Sequence, residues 1–212
     1  MSVPKFTVPA LILLAAGGCS RTGEITEGGI SAVRTACPTV AIPAGTGDVT
    51  LFDPAESREA QAIDVVATIT NVKAACNDAG AQVVTDISFD VLARRRDAGP
   101  ARDVTVPYFL TIVRGGTSVT AKRVSNITLH FDAGQIRASA VGTATSSVSH
   151  AAATLPDEVR RRLTEKRKAG EQSAATDPLS DPSVRTAVLS ATFEALVGFQ
   201  LTEAQLKYNA TR

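Results

Sequence analysis

Val83-Val-Thr-Asp-Ile-Ser-Phe-Asp-Val91 decides the fold class. Val83, Thr85, Ile87, Phe89 and Val91 repeat every second residue, and Asp86, Ser88 and Asp90 fill the other face. A period of two is the signature of a strand, and the wet face places it in an antiparallel sheet with one side on the core. Upstream, Asn77-Asp-Ala-Gly80 supplies a turn. Before it, Ala62 to Val72 is a second strand, with Ile63, Val65, Ala67 and Ile69 on one face. Downstream, Arg94 to Pro100 reads as a polar loop, and Val104 to Val113 as a third strand presenting Val106, Tyr108, Leu110 and Ile112. Pro107 inside that strand predicts an edge position or a bulge.

The pattern continues in both directions. Gly115-Gly116 marks a hairpin, followed by Val119 to Phe131 with Ile127, Leu129 and Phe131 alternating. Ala133-Gly134 turns the chain into Ile136 to Val148, a small-residue strand containing Gly142. Toward the amino terminus, Cys37 to Pro43 is a short strand bounded by prolines, suited to a sheet edge, and Val49 to Pro54 is a second short strand or a loop. Strands separated by turns, without helices between them, predict a mainly β, antiparallel sandwich of immunoglobulin- or fibronectin-like type. With 0 Trp, no tryptophan lies between two cysteines, so an antibody-type domain is excluded.

After residue 150 the grammar changes. Leu155 to Lys168 reads as a helix capped by Thr154 with Pro156 in its first turn, acidic at its start and basic at its end. Its apolar stripe is Leu155, Val159 and Leu163. Gly170 to Ser180 is a polar linker, and Asp181-Pro182 opens another helix bearing Val184, Val188 and Leu189. Phe193 to Leu201 is a core strand. Thr202 and Gln205 then form a capping box for a short C-terminal helix, with Leu206 and Tyr208 placed to dock it on the sheet. Residues 37–212 are therefore expected to form one β-sandwich domain with a helical insertion at 150–190.

The first residues carry an address. Lys5 precedes the apolar run Val8 to Ala16, then Gly17, Gly18, Cys19 and Ser20. This is a charged n-region, a short h-region and a small-residue cleavage site. The run falls short of the roughly 20 apolar residues a membrane-spanning helix needs. The arrangement resembles the lipobox of bacterial lipoproteins, with Ala16 where Leu is usual. That resemblance implies cleavage of a 1–18 signal peptide, lipidation of Cys19, acylation of the new amino terminus and a 19–36 tether. It also implies an outer-membrane, periplasm-facing location, because Ser20 rather than aspartate follows the cysteine; the inner membrane is the alternative.

Leu196-Val-Gly-Phe-Gln-Leu-Thr-Glu-Ala-Gln-Leu-Lys-Tyr-Asn209 is similar to the carboxyl terminus of an uncharacterised group of small alphaproteobacterial envelope lipoproteins. Cys37-Pro-Thr-Val, the strand leading to Cys76 and Val106-Pro-Tyr-Phe-Leu share that likeness. The resemblance implies a lipoprotein with a β-sandwich and carries over no catalytic residue.

Composition bounds the chemistry. The net charge is +1, and loss of Lys5 with the signal brings it to zero, a poor match to nucleic acid. With 0 Trp and 2 Tyr, stacking platforms for bases are scarce. Cys37 and Cys76 form an even pair in an oxidising compartment, so a disulfide is the default, contributing about 4 kcal/mol by loop entropy. A metal or reactive-thiol site is the competing reading, and neither His130 nor His150 stands in ligand-like spacing with these cysteines. His130, at the end of a strand, and His150, beside Ser149, lack a recognisable triad partner. Asp86 and Asp90 share a strand face, the placement a calcium site or acid/base pair would use, but no glycine-pivoted acidic loop accompanies them. Arg94-Arg95-Arg96 and the basic helix 160–168 are surfaces able to contact anionic lipid or an acidic partner; for the helix, a solvated face balanced by Asp157, Glu158 and Glu165 is the first reading. No catalytic residue, metal or cofactor is assigned. The expected function is a non-enzymatic interaction or accessory module of an envelope complex, pairing through an exposed sheet edge. The alternative is a carrier sheltering a small apolar ligand among Phe89, Phe109, Leu110 and Phe131; a hydrolase is a distant third.

Overall fold

A computed structural model describes residues 24–26, 29–31, 35–165 and 176–211. Cys19 and the signal segment lie outside the described residues. In the first of two compact units, Met1–Val33, strands β1 (Glu24–Thr26) and β2 (Gly29–Ser31) pair antiparallel. A short hairpin thus stands within the segment read as a tether.

The second unit, Arg34–Arg212, holds two four-stranded sheets. Its strands are β3 (Thr39–Ala41), β4 (Asp48–Phe52), β5 (Ile63–Asn77), β6 (Gln82–Arg95) and β7 (Arg102–Arg114). They continue with β8 (Ser118–Phe131), β9 (Arg137–Ser149) and β10 (Phe193–Phe199). One sheet runs β3-β10-β7-β8 and the other β4-β5-β6-β9. Among the described residues of these sheets, only the β3–β10 pair is parallel. The alternating residues pack between the layers: Val83, Thr85, Ile87, Phe89 and Val91 from β6 face Val106, Tyr108, Leu110 and Ile112 from β7.

Several expectations are corrected. Arg94 and Arg95 continue β6 rather than forming a loop, and Arg95 is buried. β5 runs on to Asn77 past a register shift between Thr70 and Lys73, where Asn71 takes a φ of 52°. β7 is a central strand despite Pro107. A proline is tolerated there because its missing donor points toward β10, which has ended at Phe199; only Gln200 follows, donating its N–H to Pro107 O at 2.9 Å. The register shift along β7 falls at Ile112/Val113, in its pairing with β8.

One glycine makes room for a core ring within its own sheet. Gly142 of β9 lies opposite Phe89 in the ladder, and a Cβ there would collide with the Phe89 ring. The Gly115-Gly116 turn joins β7 to β8 with φ of 63° and 77°, a conformation side chains resist.

Between β9 and β10 lie α1 (His150–Ala153), α2 (Asp157–Thr164) and α3 (Pro182–Ser190). Thr154 closes α1, donating to His150 O at 2.7 Å, and does not cap α2, whose N-cap is Pro156. α2 ends at Thr164; Lys166, Arg167 and Lys168 lie outside the described residues. Its stripe of Leu155, Val159 and Leu163 is half-buried. Asp181 caps α3 as expected and also accepts from Arg162 Nη2 at 2.8 Å, tying α2 to α3. Hydrogen bonds from the Ser183 hydroxyl, Arg162 and the Ser183 amide hold the Asp181 carboxyl well below the usual carboxylate range. The final helix, α4 (Glu203–Thr211), carries the Thr202–Gln205 capping box. It docks through Tyr208, edge-on to Phe52 with centroids 5.2 Å apart, while Leu206 stays exposed.

Candidate functional site

The strand β8 divides in two. From Ile127 to Phe131, alternate side chains are buried against the second layer. From Ser118 to Val124 every residue is exposed, including Val119 at 62% and Val124 at 51%. β8 and β9 flank the turn at 132–136, and the inner face of β8 is buried only from Ile127 to Phe131.

β8 is also the last strand of its sheet. Backbone groups along a strand point alternately to either neighbour. Pro107 O faces β10, so Tyr108 and Leu110 face β8 and bond Ser125 and Arg123. Lys122, Val124 and Asn126 therefore turn their N–H and C=O groups outward. Lys122 lies over the Phe109 ring, 5.1 Å from its centroid. Lysine and arginine on an edge resist indiscriminate pairing, and here they also give the edge a positive sign.

Beside this edge lies a cavity of about 170 Å³ between the layers, lined by Tyr108, Leu110, Arg123, Ser125, Ala144 and Thr145 among others. Tyr108 donates its hydroxyl to Thr143 O across the gap at 2.7 Å. That carbonyl lies on the unpaired side of β9, since His150 N–H bonds Ala81 O and even-numbered β9 residues therefore face β6. Thr143 and Thr145 turn their amides to the open side. Among the described residues, no carboxylate lies within ion-pair distance of Arg123.

The residues singled out by sequence fall in different places. Cys37 and Cys76 are joined as a disulfide with Cα atoms 6.1 Å apart. The bridge links the start of β3 to the far end of β5, and so one sheet to the other. His130 is exposed, with Nδ1 at 2.6 Å from Asp103 Oδ1 and Nε2 at 3.4 Å from Asp132 Oδ1. The Asp103 hydrogen bond and charge, with Asp132 adding to both, raise its pKa. His150 opens α1, far along β9 from His130. Asp86 accepts from Thr145 Oγ1 and Asp90 from Asn71 Nδ2, each at 2.7 Å, so the two are engaged with separate cross-strand partners. Among the described residues, no group of three or more His, Cys, Asp or Glu is arranged to hold a metal. Asn209, the last residue of the Leu196–Asn209 run, donates to Gly45 O and Asp48 O at 2.8 Å each. Of the four side chains expected to line a ligand cavity, Phe89, Leu110 and Phe131 sit in the interlayer core, whereas Phe109 lies on the opposite face of β7.

The arginine triplet is split. Arg96 is exposed, pairing with Asp97 and bonding Gln61 O. Arg95, 2% exposed, donates to four carbonyls: Gln135 (2.6 Å), Pro100 (2.8 Å), Gly99 and Asp132 (3.0 Å each). It holds the 96–101 loop to the 132–136 turn, over the Phe131 ring. Its one sequence signal was its place in the β6 period, two residues beyond Ala93 and four beyond Val91. Arg123 had a similar signal, two residues before Ser125 and four before Ile127.

Comparison with known protein families, with curated proteins and with solved structures yields no match. Among the described residues, no helix is long and apolar enough to cross a membrane.

Proposed function

We propose that this chain is a bacterial envelope lipoprotein, anchored through lipid on Cys19, that acts as a non-enzymatic interaction module. It takes an extended segment of an envelope partner onto the free edge of β8. The observation that carries the reading is the first half of β8, with both faces exposed and an outward row of amide and carbonyl groups at Lys122, Val124 and Asn126. Strand addition uses such groups for affinity and the flanking side chains for selection. The lipobox-like segment ending at Cys19 supports the anchor, and Ser20 favours the outer membrane. An immunoglobulin- or fibronectin-like type for the sandwich is part of the same reading, supported by two mostly antiparallel layers.

The test is photo-crosslinking in intact cells from a photoreactive residue at position 124, with one at position 92 on the other sheet as control. A stoichiometric adduct with one envelope protein is expected from position 124 alone, and Val124→Pro is expected to abolish partner binding. That proline removes an outward donor and leaves the β7 ladder whole. Recovery of the protein alone from both positions overturns the reading. A small apolar molecule co-purifying in native mass spectrometry would replace it with the carrier reading. Loss of the membrane-bound form on Cys19→Ala is expected; its persistence refutes the anchor.

A further inference from the structure

The lining of the cavity beside the β8 edge carries one full charge, that of Arg123, and no carboxylate. Arg123 and Ser125 project from the inner face of β8, and the Thr145 amide points to the same open side. The Thr145 hydroxyl is already spent on Asp86, and the Thr143 carbonyl is taken by the Tyr108 hydroxyl. Leu110 and Ala144 provide apolar walls for a methylene stem. A group that fits must accept several hydrogen bonds, carry negative charge and sit on a short apolar stem.

The geometry supplies the direction of entry. A strand added along Lys122 to Asn126 turns alternate side chains inward, beside Arg123 and Ser125 and over this cavity. Resting on the edge-pairing reading above, we propose that the cavity receives a glutamate or aspartate side chain of the added strand, and that Arg123 selects it. Arginine suits the role because its planar fork binds a carboxylate through two parallel hydrogen bonds. The partner is then an extended segment with an acidic residue flanked at alternate positions by apolar ones.

The test uses the full-length lipoprotein in detergent micelles, isotopically labelled and titrated with synthetic peptides Thr-Val-Thr-X-Thr-Val-Thr, where X is Glu, Gln or Lys. The Glu peptide is expected to shift the amides of Lys122, Val124 and Asn126 and to bind about tenfold tighter than the Gln peptide, as one charge-assisted pair allows. In Arg123→Gln the preference for Glu is expected to fall below about twofold while the edge amides still shift. Arg123 is exposed, so an unchanged amide spectrum elsewhere verifies that this variant folds. Equal binding of the Glu and Gln peptides, or a preference that survives Arg123→Gln, overturns the selectivity proposal and leaves edge pairing standing. Absence of edge-amide shifts with every peptide overturns edge pairing itself. Shifts at Arg123 with free acetate and with no peptide mark a small-anion pocket and also overturn the proposal.

Discussion

The two halves of β8 share one strand, one neighbour and one ladder, yet differ in everything that concerns solvent. Ile127, Leu129 and Phe131 are buried, while Ala121, Arg123 and Ser125 continue the same inner face into an open gap. Hydrogen bonding to β7 is satisfied along both. Backbone pairing therefore does not decide burial. Burial comes from the second layer, and it takes in the inner face of β8 only from Ile127 to Phe131. The covered half stabilises the domain, and the open half leaves a surface with a free edge.

The largest expected effect tests this contrast directly. Leu129→Ala, at a fully buried site, is expected to cost about 3 kcal/mol, and Val124→Ala less than about 0.5 kcal/mol. Urea unfolding of the two variants checks it; similar costs would mean that the open half is covered after all. Next is Arg95→Met at the closed end. It removes a donor from four carbonyls, of which Gly99 O and Asp132 O keep a backbone amide, and is expected to cost about 3 kcal/mol, with Arg95→Lys intermediate because an ammonium has fewer donors and no fork. A loss confined to the 96–101 and 132–136 segments in hydrogen exchange would locate the effect at that staple.

Gly142→Ala follows, at about 2 kcal/mol, because the new methyl must displace a buried phenyl ring. Combining it with Phe89→Leu is expected to recover part of the loss, a non-additivity that a double-mutant cycle measures. The smallest effect concerns His130, on the outer face of the covered half. Its folded pKa is raised above the ordinary 6.5, so the Asp103 and Asp132 contacts stabilise the fold below that pH. The contribution is lost as pH rises through the raised folded value. An NMR titration of His130 is expected to shift downward in Asp103→Asn, and an unchanged midpoint would rule out the pair as its cause.

Much of the fold was legible because the information is local. Side chains alternate by covalent geometry, so the inner faces of β6, β7 and the end of β8 follow from period two alone. Turn and cap chemistry is equally short-ranged, as at Gly115-Gly116, Asp181 and the Thr202–Gln205 box. The same local logic failed at Arg94 to Pro100, where charge outweighed period and a buried strand residue was read as loop. It failed again at Pro107, where tolerance depends on where another strand ends.

By itself, then, the sequence determined the long strands of the sandwich, their inward faces, the paired cysteines and the caps at Asp181 and Thr202. The tertiary structure decided that the disulfide joins opposite sheets, that Arg95 answers four distant carbonyls, and that Gly142 makes room for Phe89. It also decided which half of β8 is covered and that Arg123 and Thr145 border one cavity. The reason is physical: alternation is set within a few residues, but whether a face meets solvent or a second layer depends on chain far away in sequence.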